Sequence, residues 1–173
     1  MTRTKKLVIA SMLIALQIVL TRTLGIDLSQ TQRISFSSVA VVINGALLGP
    51  ITAGISGGVA DIIGFMLKPT GPYFPGFTFS SILAGGIYGY FFYNAKTITW
   101  PRVLLANAII SFGINLLLNS FWIHLLYGPP YTKLILSRFP FIFLMFAIDV
   151  AIQTVIVSRV IKEARRYLQI RAA

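Results

Sequence analysis

The sequence predicts an all-α integral membrane protein, a bundle of six transmembrane helices with both termini cytoplasmic and an outward-facing ligand pocket. Three observations predict it. The 173 residues are 56% hydrophobic and only 11% charged, too little charge to cover a soluble domain of this size. The apolar residues gather in runs near the ~20 residues that cross the hydrocarbon core of a bilayer. The basic residues then sort by side once the runs are counted, as the positive-inside rule requires.

The first run, 7–24, follows Arg3, Lys5 and Lys6 and stays apolar as far as Thr21-Arg22-Thr23. A signal peptide begins the same way, but no small-residue cleavage site follows and more apolar runs do, so it reads as a retained helix. The second, 35–48, is short and ends at Gly49-Pro50. The third, 51–67, is glycine-rich, carries Asp61 and is short enough to tilt or to extend by a few residues. The fourth, 77–93, is aromatic and glycine-rich. The fifth, 103–127, is long and contains Asn107, Asn115 and Asn119. The sixth, 139–161, carries Asp149 and, one turn on, Gln153. Together they make a single domain over 1–173.

Six spans leave both termini on one side. That side collects ten cations: Arg3, Lys5, Lys6, Lys96, Arg102, Arg159, Lys162, Arg165, Arg166 and Arg171. The other holds five: Arg22, Arg33, Lys68, Lys133 and Arg138. The termini are therefore assigned to the cytoplasm. The net charge of +11 is explained by this orientation, and no nucleic-acid partner is needed. The stretch KPTGPYFPGFTFS at 68–80 lies outside, where Pro69, Pro72 and Pro75 interrupt any helix.

Several function classes drop out. Without cysteine there is no disulfide, thiolate metal site or cysteine nucleophile. One histidine, His124, and four scattered acids, Asp27, Asp61, Asp149 and Glu163, are a poor stock for catalysis. No Walker A loop, HExxH or GxSxG occurs. No enzyme activity and no cofactor are expected.

The outer side carries the binding candidates. Cations near helix ends can snorkel to the interface, yet five on this side also suit an anionic ligand from outside. Asp61, inside GGVADIIG, is costly at that depth unless paired or facing a cavity; an ion pair with Arg22 and a ligand contact are both open. For Asp149 a paired structural role is preferred. Asn115, Asn119 and Trp122 share a helix face, and Asn107 lies two turns from Asn115 on the same side, deeper toward the cytoplasm. They form either interhelical bonds and a belt residue or a polar ladder that reads a planar ring, with Trp122 stacking on it. Ser11 and Ala15 form a small-xxx-small pair, for packing or for another membrane subunit.

The segments QRISFSSVAVVINGALLGPITAGISGGVADIIG (32–64) and KPTGPYFPGFTFSSILAGGIYG (68–89), with a weaker match in helix one and in the NxxxNSFW segment of helix five, resemble the S component of an energy-coupling factor vitamin transporter, folate-specific branch. The resemblance implies high-affinity vitamin binding from outside. It also implies docking onto a membrane-embedded coupling protein with two ATP-hydrolysing subunits, and a toppling motion that carries the site inward. Ser11 and Ala15 stand where the family more often has paired alanines facing the coupling protein.

With folate as ligand, Asp61 or Asn115 pairs with the pterin N–H donors, aromatics stack on the ring, and Arg22, Arg33 or Lys68 takes the glutamate carboxylates. Lys68–Ser80 then becomes an outer gate, with Tyr73, Phe74 and Phe77 covering the ring. The alternatives are an S component for another vitamin, riboflavin or thiamine, and a stand-alone small transporter. An intramembrane enzyme would need clustered acids or histidines. The outer cations disfavour cationic thiamine and cation transport, and riboflavin has no need of them.

Overall fold

A computed structural model describes residues 3–23, 25–29, 32–69, 71–93, 95 and 98–167, without the side chains of 3, 26–29, 32, 33, 156–158, 165 and 167. Lys96 and Arg171, counted above with the cytoplasmic charges, lie outside the described residues. Helix α1 (Arg3–Ile18) runs into a π-helical turn, Val19–Thr23. An antiparallel ribbon follows, β1 (Ile26–Ser29) and β2 (Gln32–Ile34), with Asp27 opposite Arg33. The expectation of helices alone misses this ribbon, although Ile-Asp-Leu-Ser alternates with the period of a strand.

Helices α2 (Ser37–Leu48) and α3 (Pro50–Leu67) are separated by one residue. Gly49 makes this possible with φ +90, a conformation that costs glycine little. Pro50 opens α3 with the fixed φ of a first helical position, where no N–H is needed. Helix α4 (Pro75–Phe92) packs along α2 and α3. At Gly89 a Cβ would collide with the Pro50 backbone, so the close approach depends on the missing side chain.

A continuous rod is built from α5 (Trp100–Ala108), a π-helical stretch Ile109–Leu118 and α6 (Asn119–Tyr127). A last rod joins α7 (Tyr131–Ile152), a π-helical turn Gln153–Val157 and α8 (Ser158–Tyr167). It starts at Tyr131, not at 139 as the sequence reading has it. Pro140, next to the expected start, sits inside α7. A helix in a bundle tolerates an interior proline when neighbours satisfy the freed carbonyl. Lys133 and Arg138 are therefore helical residues.

Val42, Tyr88, Phe92, Val103, Ile110 and Ile161 form the core where α2, α4, α5 and α8 meet. Elsewhere apolar side chains point outward: Ile51 and Leu136 are each 79% exposed and Met66 74%. A water-soluble protein would not present so many large apolar groups. Residues 4–23, 50–67, 100–127 and 131–164 are long and apolar enough to cross a membrane.

Candidate ligand-binding site

Helix one, the end of α3 and the start of α4 meet in a polar cluster. Arg22 is buried in the π-helical turn and crosses Gly64, where a Cβ would stand 3.1 Å from its Nε. Its guanidinium lies 3.8 Å from the Asp61 carboxylate. It also donates to the Lys68 carbonyl at 3.2 Å, and the Lys68 ammonium donates back to the Arg22 carbonyl at 3.1 Å. The second Asp61 oxygen accepts the Thr78 hydroxyl at 2.7 Å. That uses the single Thr78 proton, so the Tyr73 hydroxyl, 2.9 Å away, must be the donor in its contact with Thr78. The chain of donors runs from Tyr73 to Thr78 to Asp61, with Arg22 closing it from the other side.

The Pro/Gly stretch is held at both edges. The Tyr73 ring packs on Phe65 of α3 at 5.3 Å. Phe74 packs on Phe77 at 6.1 Å and on Trp122 of α6 at 5.7 Å. The Trp122 indole N–H donates to the buried Ser80 hydroxyl at 3.1 Å. Gly71 faces the Tyr127 hydroxyl so closely that a Cβ would stand 2.7 Å from it. Pro69, Gly71, Pro72, Tyr73 and Pro75 remain exposed, with Phe74 half-buried.

The third group lies on the α5–α6 rod. Asn119 donates to Asn115 at 3.3 Å. Asn115 is exposed although its neighbours Ile114 and Leu116 are buried. Asn115 is thus accessible at that level of the rod. The Asn119 amide oxygen is buried and has no partner among the described residues. Next to it, the fully buried Ser120 accepts from Arg138 of α7 at 2.7 Å.

The predicted residues thus fall into three neighbouring groups. Arg22, Asp61, Lys68 and Tyr73 form the first, Phe74, Phe77 and Trp122 the second, and Asn115 and Asn119 the third. The Arg33 side chain lies outside the described residues, while its strand β2 packs beside α7. Ser11 and Ala15 are exposed on α1, away from the cluster, with the Ser11 hydroxyl bonded to its own helix at Leu7.

Asn107 leaves the ladder. It is buried with Tyr88 and Gln153 in a closed network with contacts of 2.7 and 2.8 Å. Asp149 accepts the Ser38 hydroxyl at 2.6 Å and meets no cation among the described residues. Sequence reasoning did not select Thr78, Ser80, Ser120 and Arg138. A helical projection from Pro75 puts Thr78 one turn in and could have found it; nothing local marks the others.

A groove of about 530 Å³ lies elsewhere, lined by Gly113, Leu117, Phe121, His124 and Tyr131. His124 Nδ1 is spent on the Pro129 carbonyl at 2.8 Å. With no cation in its wall, this apolar groove offers nothing to an anion. Among the described residues no three acids or histidines cluster as metal ligands.

The chain is similar to proteins already known. Residues 5–161 match the family model of the ECF transporter, substrate-specific component. Over 138 residues the chain is 40% identical to the Folate transporter FolT of Clostridium novyi (strain NT), covering 80% of this chain and 79% of that one. It is 30% identical over 155 residues to the Folate transporter FolT of Leuconostoc mesenteroides subsp. mesenteroides, covering 86% and 82%. A crystal structure of FolT bound with folic acid superposes with a TM-score of 0.84 at 34% identity, over 91% of this chain and 97% of that one.

Proposed function

The chain belongs to the substrate-specific components of ECF transporters, and we propose that it is a folate-specific one, a multi-pass cell-membrane subunit that captures folate and is not an enzyme. The likeness to a folic-acid-bound structure over most of the chain carries this reading.

In this reading six helical rods cross the membrane with both termini in the cytoplasm and the site opening outward, which the ten-to-five charge asymmetry supports. The stretch of rod at Asn115 and Asn119 takes the pterin, an aromatic plane whose edge suits amide and carboxylate partners. Trp122, Phe74 and Phe77 supply stacking faces at its rim. Asp61 is pre-oriented for such an edge by Arg22 and Thr78. Arg22, Arg33 and Lys68 give the mouth a positive field for the glutamate end.

Residues 68–80 are the gate. Their prolines lower the entropy lost on ordering, and the anchors to Phe65, Trp122 and Tyr127 define its closed position. Energy comes from partners, a coupling protein and two ATP-hydrolysing subunits, and the exposed Ser11–Ala15 face of α1 is the docking surface.

Tryptophan-fluorescence titration of the purified protein tests the ligand. Folate is expected to bind in the range of about 1 nM to a few µM, with no response to riboflavin or thiamine. A riboflavin or thiamine response without one to folate sinks the assignment.

A further inference from the structure

Arg138 stands out among the cations at the candidate site. It is 8% exposed and lies on the inward stripe Leu134, Arg138, Ile142 of α7. Asp149, three turns further along, continues that stripe toward α2, where it bonds Ser38. Arg138 therefore points into the bundle and not toward lipid.

A guanidinium taken out of water is costly unless a carboxylate and full hydrogen bonding compensate it. Here Nη1 reaches only the neutral Ser120 hydroxyl. Nε is buried and has no acceptor, and among the described residues no carboxylate lies within 4 Å of the group. Arg22 differs: Asp61 lies against it, and its outer turn is clasped to Lys68.

The neighbouring atoms give this charge a direction. Ser120 follows Asn119, whose buried amide oxygen lacks a donor among the described residues, and Asn119 is bonded to the accessible Asn115. The unused Arg138 donor is thereby tied to the stretch of rod that carries the proposed ligand contacts. Its complement is a ligand with a carboxylate. Arg138 lies about two turns into α7, at the same remove from the Gly128 turn as Ser120 on the other rod, so the pair sits between the mouth and Asn115.

We infer that Arg138, oriented by Ser120, takes a carboxylate of the ligand. The inference rests on the folate reading and assigns its glutamate end a buried partner in addition to the cations at the mouth. Guanidinium-to-carboxylate pairing is directional and charge-assisted, so this residue selects ligands by the charge at that end.

The test compares folic acid with its dimethyl ester, which keeps rings and amide and loses both charges, on the purified full chain. The wild type is expected to prefer the acid by at least about tenfold. Arg138→Gln should weaken acid binding by at least about tenfold while ester affinity stays within about twofold. A wild-type preference retained in Arg138→Gln overturns the inference, as does equal loss for both ligands. Should Arg138→Gln bind neither ligand, Arg138→Lys decides. An acid preference of at least about fivefold supports the assignment, and no preference or no binding overturns it. A wild type that binds acid and ester alike overturns the role of Arg138 alone. A wild type that binds no folic acid overturns the folate reading instead.

Discussion

Arg22 and Lys68 hold each other by the backbone, each side chain donating to the other's carbonyl at 3.2 and 3.1 Å. Two cations come this close because Asp61 lies against the arginine. The end of helix one is thereby fastened to the end of α3. Arg22→Ala leaves a largely buried carboxylate without its partner and should cost about 3 kcal/mol. Adding Asp61→Asn should recover part of that loss. Thermal unfolding of the single and double variants in detergent checks this; simple additivity of the two losses would deny the coupling.

Asp61 also has a proposed part in binding. Asp61→Asn keeps an oxygen for Thr78 but removes the charge, and should weaken folate binding by at least about tenfold. Calorimetric titration of the folded variant reads it directly. Unchanged affinity would confine Asp61 to the clasp.

For the gate, replacing Tyr73, Phe74 and Phe77 together with alanine removes the packing on Phe65 and Trp122. Folate affinity should fall and release should accelerate, both by at least about tenfold. Stopped-flow fluorescence measures the release. If affinity and release rate both match the wild type, 68–80 is only a connector.

The network of Tyr88, Asn107 and Gln153 is closed on itself and buried. Asn107→Leu should cost about 1–3 kcal/mol by stranding its two partners, while folate affinity stays within about twofold. Unfolding and binding measured on one preparation separate the two effects. A large loss of affinity in a stable variant would place Asn107 back in the binding ladder.

On the docking face, Ser11→Phe with Ala15→Phe adds bulk where helix one is exposed. Folate binding by the isolated protein should persist, and uptake by proteoliposomes containing the coupling module should be lost. Normal uptake would move the docking surface elsewhere.

The spans and the Pro/Gly/aromatic stretch were legible because each depends on local composition. The clasp was half legible: an Arg22–Asp61 pair follows from two costly charges seeking each other, but the Lys68 contacts join residues 46 positions apart. No local pattern encodes such a distance. Arg138 was counted only as a charge, because the sixth run starts at 139, one residue after it. Asn107 was grouped with Asn115 by spacing alone. Spacing gives direction around a helix, whereas the packing of neighbouring helices decides whether that side is closed, as at Asn107, or open, as at Asn115.

The π-helical stretch Ile109–Leu118 has a consequence for how this protein can change over generations. In an uninterrupted α-helix, Asn107 and Ser120 would point about 140° apart, yet both are buried, at 1% and 0% exposure. The wider π turn lets side-chain direction lag, so the network at one end and the Arg138 anchor at the other face the same interior. Deleting one residue within the stretch would swing everything beyond it by about 100°, turning Ser120 and Trp122 away together. Its exposed apolar side chains can change in identity at little cost, whereas a change in its length displaces both groups at once.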